Sequence, residues 1–227
     1  MNYKIIGDKN KLIEFIDWLP ELEENEQFYL SLFARKKYCK EVISSGDKTQ
    51  LKRFTSNKER LYNKISQLEI PLGRYILKKV VAPQESLVLY ISLNPRCMKK
   101  ATEMMGKKCW DLMNGKNFNL HSEVLSCIQK SKSRTCFVDF DIDEKDIDLD
   151  IPWLNANIGK GNFRALETRG GYHLLIEPKQ ATAFRKEHFE DDKWYQLISK
   201  KYPVDQSGDQ LLPVPGTFQG GFIPSFV

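Results

Sequence analysis

The stretch TCFVDFDIDEKDIDLD, residues 135–150, sets Asp139, Asp141 and Asp143 at every second position of an apolar run. Phe137, Val138, Phe140 and Ile142 are strand formers. A strand's period of two sends the three aspartates to one face and Val138, Phe140 and Ile142 to the other. Carboxylates crowded on one sheet face repel each other, a cost that a cation among them removes, and oxygen-rich clusters of this kind suit Mg²⁺ or Mn²⁺.

Two further groups qualify by type and place. In GGYHLLIE, His173 shares the parity of Gly171, while Tyr172, Leu174 and Ile176 form the alternate apolar set. Gly170 and Gly171 suit a tight turn and the close approach of a ligand. A lone strand histidine is most often structural, but an alternating-aspartate strand upstream favours a place in the site. In DQSGDQLLPVPGT, Asp205 and Asp209 both precede a strand-like QLLPV, and either acid completes a metal site.

The elements that must carry these residues follow from periodicity. In the N-terminal half, Leu12 to Leu19 has helical spacing, QFYLSLFA reads as a strand and Leu51 to Leu68 as a basic helix. GRYILKKVV and SLVLYISL read as strands, followed by NPR, a helix through Met105 and Trp110, and another over His121 to Lys130. After the aspartate strand the order is a short connection through Trp153, strand FRALET, turn RGG, strand YHLLIE, a helix over Trp194 to Lys200, and QLLPVPG. The expected fold class is α+β, with an N-terminal αβ module (1–133) packed on a C-terminal RRM-like sheet (134–227) whose open face carries the aspartates.

Charge distribution points to the partner. The formal net charge is +5, yet seven acids and two bases lie between Arg134 and Asp150, so the remainder carries +10. From Arg35 to Lys64 there are ten Lys and Arg against three Asp and Glu, with Arg35, Lys36 and Lys37 opening the run. A basic body around one acidic pocket suits a polyanion such as single-stranded DNA or RNA held over a metal-loaded site. Five cysteines without a CxxC pair argue against a disulfide framework and a structural zinc site. No apolar run is long enough to span a bilayer and the N-terminus lacks signal-peptide order, so a cytoplasmic protein without a membrane partner is expected.

Taken together, FVDFD (Asp139, Asp141), GYH (Gly171, Tyr172, His173), the later acid at Asp205 or Asp209, and LPVPGT resemble the archaeo-eukaryotic primase superfamily, the catalytic core of primases and primase-polymerases. The hallmarks are an hhhDxD strand, an s-x-H strand and a later acidic residue. The YISLNPR strand is similar to the N-terminal module of such proteins. The chain departs from the pattern at Gly171, which carries no hydroxyl although Thr168 lies close by, and at Pro213, where a basic residue is common.

The resemblance implies a metal-dependent nucleotidyltransferase that adds NTP or dNTP on a single-stranded template. Asp139, Asp141 and one of Asp205 and Asp209 would hold two divalent ions, and His173 would contact the phosphates of the incoming nucleotide. Arg169 and Arg96 are further phosphate candidates. A helicase or another replication protein is the expected protein partner. The rival readings are a metal-dependent nuclease and a catalytically degenerate primase-fold nucleic-acid-binding protein. A rolling-circle initiator is disfavoured because His121, His173 and His188 form no His-x-His. An RRM-type binding module would place stacking aromatics where Asp139, Asp141 and His173 stand.

Overall fold

The computed structural model describes residues 1–39, 48–77, 79–145 and 148–227; residues 40–47 of the basic run, Lys78 of GRYILKKVV and Asp146 of the acidic stretch lie outside the described residues. The chain is mixed α+β, with two antiparallel sheets and seven α-helices among the described residues.

The first half runs α1 (Lys9–Trp18), β1 (Glu26–Arg35), β2 (Lys48–Ser56), α2 (Lys58–Ser66), a small hairpin of β3 (Ile76–Leu77) and β4 (Val80–Val81), β5 (Leu87–Ser92), β6 (Arg96–Cys97), α3 (Met98–Met113) and α4 (Leu120–Lys130). Asp8 starts α1 by accepting from the Asn10 and Lys11 amides, and Asn57 caps α2 through the Arg60 amide. On β1 and β5 one parity, Leu30, Leu32, Ala34, Leu89 and Ile91, is buried in a core shared with Leu12 and Phe15 of α1 and Leu61 and Ile65 of α2. The other parity carries Tyr29, which packs with Ala101 of α3 and Ile128 of α4. Further along β1 the same parity brings Phe33 and Arg35 to that face, with Tyr90 opposite Ser31.

The segment expected as one basic helix, Leu51 to Leu68, divides into edge strand β2 and helix α2. A bulge explains the misleading spacing. Leu32 lies opposite Lys52 and Phe33 opposite Gln50, so Leu51 is an extra residue that flips the parity. Leu51 and Phe54, three apart as on a helix, therefore both pack against the core.

The second half runs β7 (Val138–Ile142), α5 (Ile151–Ile158), β8 (Phe163–Glu167), β9 (Tyr172–Ile176), α6 (Pro178–Phe189), α7 (Trp194–Lys201), β10 (Gln206–Gly208), β11 (Leu211–Pro213) and β12 (Ser225–Phe226). Its sheet has the order β10-β7-β9-β8-β12. Phe140, Ile142, Ala165, Leu174 and Ile176 form one face, buried against Leu154 and Ile158 of α5, Ala181 of α6, and Trp194 and Ile198 of α7. The connection through Trp153 is thus a helix, and α6 fills the stretch before the helix expected at Trp194.

Two expectations about this sheet need correction. Its fourth strand is Gln206–Gly208, whereas Leu211–Pro213 joins the first sheet at the edge beside β5. Pro213, which cannot donate to a ladder, sits at that edge. The aspartate face is also not open throughout. Leu166 and Leu175 share it and are buried in the core of the first half, where Trp18 packs on Phe137 with ring centroids 4.6 Å apart. Apolar side chains on the acidic face are what let the two halves share one core.

Candidate functional site

Antiparallel register places the chemistry. Across the second sheet Gln206 of β10 pairs with Asp141 of β7, Asp141 pairs with His173 of β9, and His173 pairs with Leu166 of β8. Paired residues point to the same face, so Gln206, Asp141 and His173 form one row, with Asp139 two residues along β7. The parity expected from sequence for Asp139, Asp141 and His173 is the parity found.

Asp139 is only 2% exposed and His173 6%. The histidine Nδ1 donates to both Asp139 oxygens, at 2.9 and 3.0 Å, which leaves Nε2 directed at Asp141 Oδ1 3.6 Å away. Burial disfavours the imidazolium. The Asp139 carboxylate, with Asp141 and Asp143 behind it, outweighs this and raises the His173 pKa above its usual value. The Asp141 carboxyl is pushed up by burial and, against the attraction of His173, by repulsion from Asp139, Asp143 and Asp205. Four carboxylates therefore act on one another around Asp141.

The two candidates for the later acid separate. The Asp205 amide donates to the Asp141 carbonyl at 2.8 Å and its carboxylate is among those acting on Asp141. Asp209 turns instead to Arg96, whose guanidinium grips it at 2.7 and 3.1 Å, and to the Asn94 side-chain amide at 2.9 Å. Arg96 is 3% exposed. The structure thus joins Arg96 to Asp209. Asn94, absent from the sequence-derived set, also donates to the Phe137 carbonyl and accepts from the Cys136 and Phe137 amides, so it anchors the entry to β7. Its only sequence signal was its place in the NPR turn.

The β8–β9 turn is built from Thr168 to Gly171. The Thr168 amide and hydroxyl both donate to the Gly171 carbonyl, at 2.8 and 3.1 Å, so this hydroxyl closes the turn. Gly171 is demanded by backbone, not by ligand space: a Cβ there would lie 2.0 Å from the Ile142 carbonyl oxygen. Gly171→Ser is expected to destabilise the protein by at least about 1–3 kcal/mol through this overlap. A chemical-denaturation midpoint equal to wild type would contradict that expectation.

Cations line the turn side of the row. The Arg169 guanidinium donates to the Gly220 carbonyl and lies over the Tyr38 ring, 4.4 Å from its centroid, and the Lys37 ammonium is 5.5 Å from the same ring. Arg35 is buried, not a surface charge, and donates to the Tyr90 hydroxyl at 2.6 Å. Burial pushes the Tyr90 phenol up to about 12, so it is a neutral partner near Asp141 at any ordinary pH. Of the three basic residues expected on a nucleic-acid surface, Lys37 is exposed and Lys36 partly so.

The carboxylates acting on Asp141 are oxygen donors of the kind hard divalent ions take, with the His173 Nε2 nitrogen beside them. No group of three or more His, Cys, Asp and Glu is arranged for a metal ion among the described residues. Asp139, turned to His173, is the carboxylate that differs from the expected set. Among the described residues no helix is long and apolar enough to cross a membrane. Comparison with known proteins returns no matching family model, no matching curated protein and no matching solved structure.

Proposed function

We propose that this protein is a metal-dependent nucleotidyltransferase of the primase or primase-polymerase type, adding NTP or dNTP to a strand on a single-stranded DNA or RNA template. The observation that carries the reading is the row on one sheet face: Asp141 flanked by His173, with Asp139 and Asp205 acting on Asp141. Strand order supports it as well. In β10-β7-β9-β8 the fourth strand lies beside the first, the first beside the third and the third beside the second, which is the order of an RRM-like sheet of the kind primase cores have.

In this reading Asp141 and Asp205 would hold Mg²⁺ or Mn²⁺, with Asp139 beside them hydrogen-bonded to His173. The ions supply Lewis acidity toward the phosphoryl oxygens and the attacking hydroxyl. Asp139 fixes the His173 ring and keeps its proton on Nδ1. Nε2, the ring nitrogen on the Asp141 side, is left to meet a phosphate oxygen when the ring is protonated. Lys37 and Arg169 add positive charge at the same turn, suited to the β- and γ-phosphates. The 3′-oxygen bonds to the α-phosphorus as the bond to the bridging oxygen breaks, pyrophosphate leaves and the hydroxyl proton passes to solvent. Catalysis is then positioning and electrostatics.

Incubating the purified protein with a single-stranded template, labelled NTPs or dNTPs, and Mg²⁺ or Mn²⁺, with and without a primer, tests the reading on one gel. Extension or new short products support it. Shortened template indicates the nuclease, and binding without turnover indicates a degenerate primase-fold binder, the reading that the closed Asp139–His173 pair favours second.

The basic surface yields its own test. Lys36→Gln with Lys37→Gln is expected to flatten the salt dependence of single-strand binding, by up to about 0.7 in slope for each phosphate no longer neutralised. Arg35 is left in place because it is buried. An unchanged slope would reduce the two lysines to solubilising charge.

A further inference from the structure

A cavity lies on the β10 flank of the row. It measures about 440 Å³ and lies between α4, the first sheet and the β10–β11 connection, with Phe33, Tyr90, Gln129, Lys130, Gln206 and Gln210 in its wall. Its position follows from the strand register: Gln206 pairs with Asp141 on one side as His173 pairs with it on the other.

We infer that this cavity receives the 3′-terminal nucleotide of the strand being extended, an assignment that rests on the nucleotidyl-transfer reading above. In-line displacement requires the attacking oxygen and the departing pyrophosphate to stand on opposite sides of the phosphorus. His173, Lys37 and Arg169 gather on the β9 flank, which suits the polyphosphate. The attacking hydroxyl then arrives from the β10 flank, where Gln206, the strand partner of Asp141, lines the cavity.

The wall fits a nucleotide in three respects. The cavity volume falls in the range of small-molecule sites. Phe33 meets Tyr90 edge-on, with centroids 5.6 Å apart and planes at 84°, which gives the base an aromatic wall to pack against. The polar lining is rich in donors, with Gln129, Gln206 and Gln210 beside Lys130, which suit the acceptors of a base edge. The acid in the wall, Asp209, is already neutralised by Arg96. Lys130, exposed at the end of α4, carries a charge suited to the phosphate of that nucleotide.

The test compares two probes by equilibrium binding: a template–primer duplex ending in a 3′-dideoxynucleotide, and the same duplex with an abasic 3′-terminal position. Wild-type protein is expected to prefer the base-bearing end by roughly tenfold, the scale of one stacked base. Gln129→Trp, which fills the cavity, should abolish the preference while leaving affinity for the abasic end near wild type. Gln206→Ala, a change at an exposed strand residue that leaves the core untouched, should reduce the preference and raise KM for primer ends without raising KM for the nucleotide. Equal binding of the two ends by wild type, or a preference that survives Gln129→Trp in folded protein, overturns the assignment. Wild-type protein that adds no nucleotide overturns the transferase reading itself. Protein that adds nucleotide yet ignores the terminal base overturns only the cavity's role.

Discussion

Replacing Asp141 with asparagine is expected to reduce nucleotide incorporation by on the order of 10³-fold, the scale of the several kcal/mol that metal-ion stabilisation contributes to a phosphoryl-transfer barrier. The double change Asp139→Asn with Asp141→Asn should bring it to background. The effect on the fold should run the other way for Asp141. Its carboxylate is partly buried and repelled by Asp139, Asp143 and Asp205, so its folded pKa lies above the usual value. A raised folded pKa means that stability falls as pH climbs from the unfolded value of 3.8 through the folded one. At neutral pH the charged side chain therefore costs stability, and the neutral amide removes that cost.

Asp141→Asn is accordingly expected to melt at or above the wild-type temperature while being inactive, the trade expected where a site holds like charges together for function. Asp139→Asn keeps an oxygen to accept the His173 Nδ1 proton, so it too should fold. Melting curves with and without Mn²⁺ separate ligand from bystander. The ion should raise the wild-type melting temperature by mass action and leave the double variant unmoved. Equal Mn²⁺ stabilisation of both proteins would remove these aspartates from the metal site.

The site was legible in the sequence to the extent that strand parity governs it. Alternation over residues 137–142 and 172–176 fixes which side chains share a face, and burial of Phe140, Leu174 and Ile176 against helices agrees with it. What parity cannot reveal is how far each face is covered. Leu166 and Leu175 look like ordinary strand residues, yet they bring the first half of the chain onto the acidic face and bury Asp139. Long-range pairings were equally hidden. Leu211–Pro213 reads as a continuation of Gln206–Gly208, and only the tertiary fold assigns the two segments to different sheets. The same holds for Asp209, whose commitment to Arg96 and Asn94 depends on residues more than a hundred positions away. The strand–helix error at Leu51 came from a bulge, which imitates helical spacing by inserting one residue.

His173 carries the test that most directly separates a nucleotidyltransferase from a nuclease or a binder. Its two ring nitrogens have distinct tasks: Nδ1 is committed to Asp139, and Nε2 faces the cleft beside Asp141. His173→Ala removes both and leaves a buried carboxylate unpaired, a change that costs stability whatever the function. His173→Asn is the cleaner variant, because its amide nitrogen can donate to Asp139 in place of Nδ1 while nothing replaces Nε2. If Nε2 contacts the nucleotide's phosphates, the asparagine variant should fold and should bind template and Mn²⁺ as wild type does. It should lose about ten- to a hundredfold or more in kcat/KM for NTP or dNTP, with the loss carried mainly by KM. That range corresponds to about 1.5–3 kcal/mol for one charge-assisted hydrogen bond. A nuclease has no nucleotide dependence to lose, and a binder has no turnover. A folded His173→Asn protein that incorporates at full rate under limiting nucleotide would make the histidine a structural partner of Asp139 and no contact of the nucleotide.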